Sequence, residues 1–116
     1  MDFKTYMQTL ADEYAMSEKG YNQVAAGVNK MMAHLNDLDY AETTPRGLLL
    51  TRLKNGLRLS LHHQERMLTL REDLASLAQL AGLPNYQTHF IPAIVQVKNN
   101  IEMIKQAMTT IHQHYT

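Results

Sequence analysis

No cysteine occurs in the 116 residues, and proline and glycine appear only three and five times. The missing cysteine excludes disulfide scaffolds, thiolate zinc sites and cysteine nucleophiles. Sparse proline and glycine point to a few long helices rather than many short elements. No apolar run approaches the ~18 residues that a membrane span needs. The opening Met1-Asp2-Phe3-Lys4 lacks the basic-then-apolar order of a signal peptide. A cytoplasmic location with no membrane partner is therefore expected. Also missing are a phosphate loop, a nucleophile elbow, an H-E-x-x-H motif and a paired-carboxylate constellation.

What is present is ordinary in amount and unusual in order. Apolar residues make up 45% and charged residues 19% of the chain. That composition fits one folded domain burying roughly two-thirds of its unfolded surface. From Phe3 to Leu38 one series steps by fours and threes without a slip: Phe3, Met7, Leu10, Tyr14, Ser17, Tyr21, Val24, Val28, Met31, Leu35, Leu38. A second seam closes the chain at Phe90, Ile94, Val97, Ile101, Ile104, Met108, Ile111 and Tyr115. Heptad seams of this kind require partner helices along their length. The fold class is all-α: an antiparallel three-helix, coiled-coil-like bundle with helices at about 2–38, 45–81 and 91–114.

Capping chemistry sets these boundaries. Asp2 is a good amino-terminal cap, Thr44-Pro45 starts the second helix, and Gly82-Leu83-Pro84 stops it. Asp39 to Thr43 and Pro84 to His89 read as connections, and Pro92 falls in the first turn of the third helix. Gly20 is the one place where the first helix would break, giving four helices. The heptad phase is unchanged across it, which favours continuity. Gly20 and Gly27 then permit close helix approach. In the second helix, Leu50, Leu53, Leu57, Leu61 and Leu68 form one stripe, and Leu49, Met67, Leu70, Leu74, Leu77 and Ala81 another. So broad an apolar arc suits the middle helix of three. The stripes exchange near His62 to Glu65, where a bend or stutter is expected.

Charge is zero overall but unevenly spread: residues 1–45 carry seven acids and three bases, and residues 46–83 carry six bases and three acids. Opposite signs on adjacent helices help fix their pairing. Arg46, Arg52, Lys54 and Arg58 spread around the helix as a solvated face, and no nucleic-acid partner is expected from them. His62, His63 and Glu65 form the densest group of potential ligands, with His34 and Asp37 as a separate pair. Neither arrangement repeats the two-helix pattern of carboxylate-bridged metal bundles, so no metal and no cofactor are expected.

Helix lengths lead to the functional expectation. At 1.5 Å per residue the third helix falls ~18 Å short of the first, exposing the tip of the hairpin. That tip carries Met31, Met32, Leu35, Leu38, Leu48, Leu49, Leu50 and Leu53. So much apolar surface calls for a partner. The expectation is a non-enzymatic helical protein-interaction module (an adaptor, chaperone or small regulator) binding a protein or itself, with a homodimer as the expected form. Three alternatives belong to other classes: a toxin-neutralising immunity protein, a histidine/carboxylate metal-binding enzyme, and a nucleic-acid-binding regulator.

Overall fold

A computed structural model describes residues 2–37, 43–82 and 86–115, with side chains for 2–34, 47–82 and 89–113. Three helices fill it: α1 (Phe3–Asp37), α2 (Thr43–Leu80) and α3 (Tyr86–Tyr115). Of the expected connection at Asp39 to Thr43, residues 39–42 lie outside the described residues and Thr43 already belongs to α2; the Leu83-Pro84 part of the α2 stop lies outside them too. So does Leu38, at the end of the first seam.

α1 starts where its cap chemistry places it. The Asp2 carboxylate accepts a 2.7 Å bond from the Thr5 amide, and the Asp2 carbonyl accepts one from Tyr6 at 3.0 Å. That amide bond, with the Thr5 hydroxyl and the Lys4 amide, holds the Asp2 carboxyl below its usual range. The helix then runs unbroken through Gly20. At the far end of α2, Gly82 takes a left-handed φ of 67° and donates to the Gln79 carbonyl, while Ala81 donates to Leu77. A side chain at that φ would be strained, which is why glycine ends this helix.

Packing shows an antiparallel order with α2 in the middle. Leu10 of α1 meets Leu70 and Leu74 of α2, and Val28 meets Leu57 near the other end. α3 returns with Phe90 near Leu74, Val97 and Ile101 against Met67, and Ile104 and Ile111 beside Leu53 and Leu57. The bundle is a rod, 61 × 22 × 17 Å.

One expectation about the helices is corrected. α3 begins at Tyr86, not near residue 91, and has 30 residues. Pro92 therefore lies inside the helix, where its ring removes the N–H that would bond the Thr88 carbonyl. α2 buries Leu50, Leu53 and Leu57 in its first half and Met67, Leu70 and Leu74 in its second, as the two leucine stripes imply. Ser60, Gln64 and half-buried Arg71 continue the register of Leu57 between and beyond them, and Ala75 and Ala78 are buried near the end. The polar members sit where the leucine stripes were read as changing over.

Candidate functional site

The longer α3 changes the hairpin tip. Its Ile111 is 2% exposed and packs with Leu50, Leu53, Leu57 and Val28. Leu53 is fully buried and Leu50 nearly so, so both belong to the chain's own core and offer nothing to a partner. Met31 and Leu49 are half-buried against the same cluster. Of the expected tip residues, only Met32 and Leu48 are exposed among the described side chains. The side chain of Leu35, and Leu38, fall outside them. The physical reason is coverage: the five further residues at the start of α3 lie away from the tip, but the helix packs far enough along α2 to bring Ile111 there.

A different open surface runs along the rod. Both α1 and α3 pack on α2, yet among the described residues no Cα of α1 comes within 8 Å of a Cα of α3. The separation leaves a groove with α2 as its floor. Two cavities lie along it, of about 200 and 230 Å³, meeting at Tyr21 and Asn100. The α1 wall is a heptad stripe of Glu18, Asn22, Ala25, Asn29 and Met32. The α3 wall is a matching stripe of Ala93, Gln96, Asn100, Met103 and Ala107. One end is apolar, with Met103 66% exposed at its rim.

The other end is polar. Gln64 rises from the floor only 1% exposed, and its Oε1 has no hydrogen-bond partner. Arg71 lines the same cavity, with its Nε also buried without a partner and its guanidinium 4.0 Å over the Tyr14 ring. Gln96 donates to the Asn100 side-chain carbonyl at 3.1 Å, which fixes one wall amide. Buried polar atoms without partners cost stability unless water or another polar group reaches them.

A second depression lies between α2 and α3, with no α1 residue in its lining among the described ones. It measures about 370 Å³ and is formed by Lys54, Leu57, Arg58, Met108, Thr109, His112 and Gln113. Two of the cations read from sequence as a scattered face, Lys54 and Arg58, thus converge on one hollow.

The histidine group stays dispersed. His62 and His63 have ring centroids 6.0 Å apart, and His63 turns toward Gly20 of α1. Among the described residues no three His, Asp or Glu side chains gather closely enough to hold a metal ion. Among the described residues, opposite charge on α1 and α2 produces one cross-helix pair, Arg66 to Glu13 at 2.7 Å, with both side chains nearly half exposed. No described helix is long and apolar enough to cross a membrane.

No protein-family model matches this chain, and no curated protein or solved structure is similar to it beyond chance.

Proposed function

We propose that the protein is a non-enzymatic helical interaction module whose working surface is the groove between α1 and α3, and that a second copy of the chain occupies it. The observation that carries this reading is the groove's lining. Its ten wall residues include one charge, Glu18, and the floor adds only Arg71, while charged residues such as Lys98, Glu102 and Lys105 stand elsewhere on α3.

An interface built from the same patch on both copies must be complementary to itself. Alanine and methionine meet their own kind without penalty. Asparagine and glutamine carry both a donor and an acceptor, so an amide can pair with an amide. A charge facing its own copy would be repelled.

Size agrees with this. The groove runs about 27 Å along α1 from Tyr14 at its polar end to Met32, and the rod is 22 Å across. Face-to-face contact would then bury roughly 1,200 Å² in total, near the lower bound of stable interfaces. Closing the groove would also trap an amide or an ordered water against Gln64 Oε1. Exposed Met103 supplies an adaptable apolar knob at the rim.

Light scattering and sedimentation against concentration test the reading. A dimer is expected with a Kd at or below the micromolar range. Asn100→Glu, at the midpoint of the groove, should dissociate it while helical circular dichroism stays unchanged, and Lys98→Glu on the outer face should not. Because the chain has no cysteine, Met103→Cys adds a single thiol. Its alkylation should slow in the dimer relative to Glu102→Cys. A strict monomer at roughly 100 μM, or a dimer that leaves Met103→Cys fully reactive, would overturn the proposal.

A further inference from the structure

From the hollow between α2 and α3 we infer a second, separate site: a pocket for a small amphiphilic anion, with a carboxylate or phosphate head held by Lys54 and Arg58 and an apolar body lying on Leu57 and Met108. At about 370 Å³ the hollow falls within the range of small-molecule sites. Its lining divides as such a ligand divides. Leu57, 4% exposed, forms an apolar floor with half-buried Met108, and the polar groups stand around it.

The charge of the hollow has one sign. Lys54 and Arg58 stand four apart on α2 and so project from the same side of the helix, where like charges repel each other. Among the described residues no aspartate or glutamate lines the hollow to offset them. The next acid along α2 is Glu65, and on α3 Glu102 is seven residues before Thr109. A concave apolar wall concentrates the field of the cations above it, which raises the local concentration of anions. Arg58 is also partly oriented, since its Nη1 donates to Asn55 Oδ1 at 3.4 Å. The guanidinium carries five N–H donors in a planar fork suited to a carboxylate or phosphate. His112 completes the wall on the α3 side.

The pocket is independent of the groove between α1 and α3, so either can fail alone. Leu57 is the one lining residue they share, and it is buried beneath both.

Two fluorescent dyes of similar shape test the inference on the full chain: anilinonaphthalene sulfonate, which is anionic, and phenylnaphthylamine, which is neutral. The anionic dye should bind at one saturable site per chain and weaken with added salt. Lys54→Gln/Arg58→Gln should weaken it about tenfold or more, with the neutral dye and the helical circular dichroism unchanged. Lys98→Gln/Lys105→Gln, elsewhere on α3, should change neither dye. Decanoate and decyl phosphate then serve as competitors, and the better one identifies the head group. Equal binding of both dyes, unchanged binding by the Lys54/Arg58 variant, or no displacement by either competitor overturns the inference.

Discussion

The imidazole of His63 on α2 lies directly against the backbone of Gly20 on α1. A Cβ added to Gly20 would stand 2.8 Å from His63 Cε1 and 3.1 Å from Nε2. Glycine in a helix interior normally costs about 1 kcal/mol relative to alanine. Here it makes room for a ring, which brings the two helices close near the middle of the rod.

That contact sets the first prediction. Gly20→Ala gains helix propensity but displaces the ring, and the net expectation is a loss of about 1 kcal/mol. With His63→Ala in place, the same change should stabilise by about 1 kcal/mol. Gly27→Ala is the control, because nothing lies within 4 Å of its would-be Cβ and the change should stabilise outright. Denaturant titration of the four variants and the parent measures the coupling. Strict additivity of Gly20→Ala and His63→Ala would show that the ring does not constrain the glycine.

The second prediction separates the two kinds of leucine at the hairpin end. Leu53 is fully buried and Leu48 is 55% exposed. Leu53→Ala should cost about 2–5 kcal/mol through lost burial and the cavity left behind. Leu48→Ala should stay within about 0.5 kcal/mol of the parent. Comparable losses at both positions would mean that Leu48 is also packed in solution.

Asp2 supplies a pH effect with a definite sign. Its carboxyl is held below the usual range, chiefly by the Thr5 amide bond. A lowered folded-state value means that the cap stabilises α1 above the unfolded pKa of ~3.9 and is lost as pH falls through the folded value. Below about pH 4 the first turn should therefore fray, with faster hydrogen exchange at the Thr5 amide. Asp2→Asn keeps a capping oxygen and removes the titration. Its Thr5 protection should be flat through the same acid range, and a matching acid transition in that variant would place the cause elsewhere.

How much of this was legible beforehand depends on which residues carried the signal. The all-α bundle, its three helices and the unbroken α1 follow from the four-three spacing of Phe3 to Met31, because only one phase buries that series. The start of α3 was misplaced because Tyr86 to Ile91 is polar and aromatic without a cap signal, and Pro92 looked like a first-turn proline. In α2 the apolar positions were legible as two stripes, and both supply buried residues, Leu50, Leu53 and Leu57 from one and Met67, Leu70 and Leu74 from the other. The polar row was passed over: continuing the heptad from Leu57 leads through Ser60 and Gln64 to Met67. That continuation is readable in sequence, and it was the available signal for the groove floor. The walls were not readable, since stripes of alanine, asparagine and methionine resemble ordinary exposed helix. Lys54, Arg58 and His112 also needed the fold, because they meet across two helices.

Gln64 gives the last prediction, and it bears on whether the buried row is there for stability. Its side chain is 1% exposed with Oε1 unpaired. A buried acceptor without a partner costs about 1–3 kcal/mol, and leucine at a heptad core position pays no such penalty. Gln64→Leu should therefore raise the stability of the monomer by about 1 kcal/mol or more, measured by denaturation of the dissociated Asn100→Glu background. In the otherwise unaltered chain the same substitution should weaken self-association, because the polar floor no longer accepts a hydrogen bond from whatever closes the groove. Stability and association would then move in opposite directions. If Gln64→Leu destabilises the monomer instead, the amide is already satisfied within one chain and the polar row is simply part of its core.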